Sequence, residues 1–188
     1  MKGAGVIALC LLACSVLAGC AAAVVAGAGG AALVATDRRT TGTQVDDESI
    51  ELKVQDQASK LYGDRIHLNV TSYNGVVLLT GEVPDQGAWA SIGNAAKNTQ
   101  KVRSVYNELV VGAPTGLDAR SNDTYITSKV KTRMIEANKF PPNAVKVVTE
   151  RRIVYLMGIV SKQEGDAAGD IAASTDGVAR VVKVFEYR

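Results

Sequence analysis

Few side chains in this sequence could do chemistry unaided. His67 is the sole histidine and has neither a cysteine nor a second histidine placed with it, so metal ligation and imidazole catalysis are not expected. No motif assembles a Ser/His/Asp set, and no carboxylate pair is spaced for acid–base work. Asp46-Asp47-Glu48 is read as the acidic start of a helix, where the dipole favours negative charge. Gly27-Ala-Gly-Gly30 lacks the preceding strand of a phosphate loop, and Trp89, in an Ala-rich stretch, reads as a packing or interdomain residue. Catalysis is therefore not expected, and attention passes to one thiol and one helix face.

The face lies on a helix expected from about residue 122. With Tyr125 at zero and about 100° per residue, Ile126, Val130, Met134 and Ala137 form a core stripe between about 100° and 180°. Ile135 falls near 280°, about 80° from Tyr125, with Lys129 near 40°, Lys131 near 240° and Arg133 at the stripe's edge. An aromatic and an aliphatic residue thus share an outward face fringed by cations. A phospholipid surface rewards that pattern, because Tyr suits the interface and each base near an anionic leaflet contributes about 1 kcal/mol.

The thiol is Cys20. Lys2, about a dozen apolar residues and the small-residue exit Leu17-Ala18-Gly19 make a secretory signal, and the tetrapeptide ending in Cys20 resembles the lipobox of bacterial lipoproteins. That resemblance implies a signal peptide over 1–19 and a diacylglycerol thioether and N-acyl chain on Cys20. Cys10 and Cys14 then leave with the signal, and the mature chain keeps no free thiol. The alternative is an uncleaved transmembrane helix. The apolar continuation to Ala35 is Gly-rich and short of the roughly 20 residues that a spanning helix needs.

The elements around these features repeat. Asp47-Glu-Ser-Ile50-Glu-Leu-Lys-Val54 matches Asp123-Thr-Tyr-Ile126-Thr-Ser-Lys-Val130, and Val70 to Val83 matches Val147 to Val160 with Gly81 falling on Gly158. Each copy predicts a helix on Ile50, Val54, Ala58 and Leu61 or on Ile126, Val130, Met134 and Ala137, N-capped by Asp46/Asp47 or Asn122/Asp123. A hairpin follows, His67–Thr71 with Val76–Val83 and Val145–Thr149 with Ile153–Val160. Asn74-Gly75 is a strong turn signal, whereas Glu150-Arg151-Arg152 leaves the second turn's type open. Alanine-rich helices over 85–98 and 161–174 come next, the latter opened by a Ser161-x-x-Glu164 capping box, and strands over 102–111 and 178–187 close the copies. The order is α-β-β-α-β twice, an α+β fold with helices on one face of a three-stranded mixed sheet.

The copies differ in charge. Residues 46–111 hold nine acids and six bases, a balance of −3, while residues 122–188 hold eight acids and eleven bases, a balance of +3. Only the second copy is expected to seek an anionic surface.

The repeat, with its strand-closing Gly81 and Gly158 and Val-rich last strands, resembles the BON domain. Gly42-Thr-Gln-Val-Asp-Asp47, Val105-Tyr-Asn-Glu108, Ser121-Asn-Asp-Thr124 and Leu156-Met-Gly158, with the lipobox, are similar to the dual-BON outer-membrane lipoproteins. One departure is Tyr125, where that family has Trp. The resemblance implies a lipidated N-terminus and flexible linker over 20–45, BON domains over 46–112 and 122–188, and a linker over 113–121. It further implies a non-enzymatic, periplasm-facing outer-membrane lipoprotein whose second domain binds anionic phospholipid such as phosphatidylglycerol and supports envelope integrity and division. Ala21 in place of Asp agrees with outer-membrane sorting. The contact set expected is Tyr125, Ile126, Lys129, Lys131, Thr132, Arg133 and Ile135, with no nucleic acid, no metal and no cofactor beyond the covalent lipid. The alternative reading is a periplasmic protein-interaction adaptor for outer-membrane protein assembly or cell-wall remodelling.

Overall fold

In a computed structural model that describes residues 37–188, the repeat becomes two α-β-β-α-β units. The first runs α1 (Thr41–Tyr62), β1 (His67–Tyr73), β2 (Val76–Val83), α2 (Gln86–Lys97), β3 (Ser104–Asn107) and β4 (Val110–Val111). The second runs α3 (Leu117–Ala137), β5 (Lys146–Glu150), β6 (Ile153–Val160), α4 (Lys162–Ala173) and β7 (Arg180–Tyr187). In each, the hairpin is antiparallel and the closing strand lies parallel to the hairpin's second strand. The expected signal peptide and the lipid-bearing Cys20 lie outside the described residues.

Two helix starts differ from expectation. Thr40 caps α1, its Oγ1 accepting from Thr43 N at 3.1 Å, and α3 begins after Gly116. Helix α1 therefore takes in residues 41–45 of the expected flexible linker, and α3 takes in residues 117–121 of the expected interdomain linker. Asp47 and Asp123 are not caps. They sit inside the helices, 2 % and 5 % exposed, and hold the neighbouring hairpin turns. Asp47 accepts from Asn74 N (2.7 Å), Gly75 N (2.8 Å) and Ser72 Oγ (2.6 Å), and pairs with Arg39 at 2.8 Å. Asp123 accepts from Arg151 N and Arg152 N, both at 2.8 Å.

This carboxylate settles the second turn. Asn74 and Gly75 have φ of 53° and 74°, and Arg151 and Arg152 have 52° and 63°, so both turns are left-handed at both central positions. That conformation costs an ordinary residue about 1 kcal/mol, and Asp123 offsets it by fixing both N–H groups. Arg151→Asn, which tolerates the left-handed region, is expected to raise Tm by about 2–3 °C in a calorimetric melt.

Each sheet is covered on one face by its helices. Ile50, Val54, Ala58, Leu79, Val83, Ile92 and Ala96 centre the first core, and Ile126, Val130, Met134, Leu156, Val160, Ala168 and Ala172 the second. Leu61 and Ala137, expected on the core stripes, are exposed, because each lies in its helix's last turn beyond the sheet. Gly81 and Gly158 are fixed by close approach, since a Cβ there would stand 2.0 Å from the His67 carbonyl oxygen and 2.2 Å from that of Ala144. The closing strand of the first unit is split. Leu109 turns into the core and Asn107 donates from Nδ2 to the Trp89 carbonyl, breaking the strand between β3 and β4.

The sheet faces opposite the helices bury each other. Tyr73 and Leu78 pack with Val148, Tyr155, Met157 and Val184 in a third apolar cluster, so the two units share a core. Six such side chains represent a gross gain on the order of 10 kcal/mol, enough to join the units. Polar ties ring the cluster: Lys146–Glu51 at 3.0 Å, Arg103–Glu186 at 2.8 Å and Asn74 Nδ2–Glu186 at 3.0 Å. At the other side, Arg38 donates to the Ile159 carbonyl at 2.6 Å and to both oxygens of Glu164 at 2.6 and 2.8 Å. The chain that follows the expected acylation site is thus strapped to the second unit before it enters the first.

The Arg38 guanidinium, aided by the Ser161 amide and against burial, holds the Glu164 carboxyl down at about 2. A folded value below the unfolded one stabilises the fold above the unfolded value near 4.5, and that contribution is lost as pH falls toward 2. Glu164→Gln is accordingly expected to cost about 1–2 kcal/mol at pH 7, with the gap reduced to about a quarter of that at pH 2.5, in urea melts followed by Trp89 fluorescence.

Candidate membrane-contact face

Helix α3 positions the face. Asp123, Ile126, Val130 and Met134 turn inward, which rotates Tyr125 and Ile135 to solvent at 62 % and 57 % exposure. Isolated exposed apolar residues are common, but Leu117, 78 % exposed at the start of α3, adds to this pair. Leu117 and Ile135 are eighteen residues apart, about five full turns, and so share one line along the helix roughly 27 Å long. Leu117 escaped the sequence reading because the helix was expected to begin at residue 122. A leucine in a presumed linker has no face.

The structure divides the expected contact set. Ile126 is 1 % exposed in the second core and cannot reach a bilayer, because its position on the buried stripe overrides its adjacency to Tyr125. Lys131 and Thr132 are exposed, and Lys131 has no ion-pair or hydrogen-bond partner among the described residues. Arg133 is exposed but donates from Nη1 to the Ser174 carbonyl at 2.5 Å and to Thr175 Oγ1 at 3.1 Å, which fixes its aim.

Lys129 is the most constrained base. Its Nζ donates to the Asp176 carbonyl at 2.5 Å, lies 3.4 Å from Asp176 Oδ2 and sits 4.8 Å from the Tyr125 ring centroid. The cation–π contact steadies the ring, while Asp176 offsets much of the charge that a membrane would otherwise feel. Lys131 and Arg133 are left as the cations most available to an anion.

The matching helix of the first unit carries Ser49 and Ser59 where α3 carries Tyr125 and Ile135. It does expose Leu52 at 71 %, beside a shallow groove formed with Glu48, Glu51, Gln55, Leu68 and Val70. The sequence reading missed Leu52 because its neighbours on the helix are polar. Trp89 packs partly buried against the first core, which decides for packing over an interdomain role. No helix among the described residues is long and apolar enough to cross a membrane.

Comparison with known proteins agrees with the repeat. The BON domain family model matches residues 46–113 and 122–188. Over 173 residues the chain is 42 % identical to the Outer membrane lipoprotein DolP of Haemophilus influenzae, covering 91 % of this chain and 90 % of that one. It is 37 % identical over 153 residues to the 21 kDa hemolysin of Actinobacillus pleuropneumoniae, covering 80 % and 79 %. It is 33 % identical over 146 residues to the Osmotically-inducible protein Y of Escherichia coli, covering 74 % and 72 %.

Proposed function

This chain belongs to the BON domain family, in its dual-domain DolP group, and from that premise we propose that it is a non-enzymatic, outer-membrane, periplasm-facing lipoprotein that reads anionic phospholipid through α3. Cys20 carries the lipid anchor in this reading, and Tyr125, Ile135 and Leu117 enter the interface while Lys131, Arg133 and Thr132 meet headgroups. The protein thereby supports envelope integrity, including at division sites. The outward projection of Tyr125 and Ile135 beside unpaired Lys131 is the observation that carries the reading.

Magnitudes decide how such a face can work. Partial insertion of Tyr125 and Ile135 contributes about 2 kcal/mol, and Lys131 and Arg133 about 1 each. A total near 4 kcal/mol corresponds to millimolar affinity, too weak for a free protein. Anchoring makes it sufficient, because the eighteen residues from Cys20 to Arg38 span at most about 60 Å and hold the face at high local concentration. Flotation of residues 37–188 with vesicles at roughly 5–10 mM accessible lipid, several times the expected dissociation constant, tests the reading. Binding to phosphatidylglycerol vesicles that falls steeply with salt supports it, and equal indifference to phosphatidylglycerol and phosphatidylcholine overturns it.

The adaptor reading has its own observation, the Leu52 groove on the acidic unit. An adaptor working only through that groove ignores purified lipid and loses its partner when Leu52 becomes polar.

A further inference from the structure

His67, Glu82 and Glu150 come from β1, β2 and β5, and the docking of the two units brings them together. His67 and Glu82 are cross-strand partners, with Nδ1 3.0 Å from Glu82 Oε2, and Glu150 of the other unit places Oε1 3.8 Å from the same nitrogen. One ligand atom from each lies within 4.8 Å of the others. The glutamates are 2 % and 6 % exposed.

Their partners are unequal. Thr115, in the segment joining the units, donates from N to Glu82 Oε2 at 2.9 Å and from Oγ1 to Oε1. The Glu150 carboxylate accepts no hydrogen bond from any described residue, although the residue is 94 % buried and its Oε1 lies 3.8 Å from His67. Arg120 lines the same cavity of about 470 Å³ as His67 and Glu150, but directs its Nε–H to the Thr115 carbonyl at 2.8 Å. His67 and Arg120 act on the Glu150 carboxylate only through space, and burial together with the charges of Glu82 and Asp123 outweighs them, so the group is short of positive charge. Burial pushes Glu150 up, while at Glu82 the Thr115 bonds and His67 outweigh burial and hold the carboxyl down.

We propose that His67 Nδ1, Glu82 and Glu150 bind one divalent cation of the zinc class, which staples the two BON domains across their shared face. One imidazole and two carboxylates suit Zn²⁺ or Mn²⁺ better than Mg²⁺ or Ca²⁺, which take oxygen. Donors held about 2.0–2.2 Å from such an ion stand about 3–4 Å apart, so the present spacing needs only a small contraction. Thr115 supplies the outer hydrogen bonds that orient Glu82, and the cavity supplies a path for entry and room for water as a fourth ligand.

A single histidine makes the test direct. The mature acylated chain, which keeps no free thiol to compete for the metal, is held without an affinity tag in dodecyl maltoside micelles, labelled with ¹³C-histidine and titrated with zinc chloride while the His67 Cε1–H signal is followed. The signal is expected to shift and saturate at one equivalent, to need at least about tenfold more zinc in Glu150→Gln and in Glu82→Gln, and to stay in place with magnesium. A signal unmoved at ten equivalents of zinc overturns the site, as does the same saturation in both variants. Should either variant fail to fold, the other decides, and the unaltered protein's signal is decisive if it does not move.

Discussion

Asp123→Ala is expected to lower Tm by about 6–12 °C, a loss on the scale of truncating a core residue although the side chain is polar. The carboxylate is buried, and its two acceptor bonds are the described partners of the Arg151 and Arg152 amides. Removing it abolishes two charge-assisted bonds and frees a turn held left-handed at two arginines, together about 3 kcal/mol. Asp47→Ala in the first domain removes three such bonds and the Arg39 pair, but its Asn-Gly turn keeps its shape unaided, so a comparable loss is expected by a different route. Asp47 also titrates below its usual value, its bonds to Ser72, Gly75, Arg39 and Asn74 outweighing burial, so its contribution is present above about pH 4 and fades in acid. A loss under 3 °C for Asp123→Ala in a calorimetric melt contradicts the clamp.

Lys131→Glu with Arg133→Glu is expected to abolish detectable co-flotation with phosphatidylglycerol vesicles at low salt. Each reversal changes the interaction by about 2 kcal/mol, and the difference shrinks in 0.5 M salt as the charges are screened. Lys129→Glu is expected to do less than Lys131→Glu, since Lys129 is already drawn to Asp176. That ranking comes from the structure alone, because the helical wheel treats the two lysines alike. Tyr125→Ser with Ile135→Ser is expected to cost about 30-fold with little salt dependence and no change in Tm, both side chains being exposed. Equal co-flotation of all these variants contradicts the assigned face.

The repeat was legible because its constraints recur at fixed spacing: Asp47 with Asp123, and Gly81 with Gly158. What those residues do was less legible. An aspartate early in a helical pattern reads as a cap, and only the hairpin folded back onto the helix shows it serving a turn. Docking of the domains did leave a signal. Val76 to Leu79 and Ile153 to Met157 are apolar at successive positions, so both sheet faces had to be buried although helices cover only one. The His67, Glu82 and Glu150 group left none, because its members are far apart in the chain and in different repeats. The contact face was mostly legible from helical periodicity. Ile126 was misassigned by adjacency, and Leu117 was lost to a misplaced helix start.

The most direct measurement is a residue-resolved NMR titration of the two-domain fragment with mixed micelles containing phosphatidylglycerol. Saturable shifts confined to Leu117, Tyr125, Lys131, Thr132, Arg133 and Ile135, absent with zwitterionic micelles, are the expected result. Shifts centred on Leu52 or on the sheet edges, or none, would contradict the account.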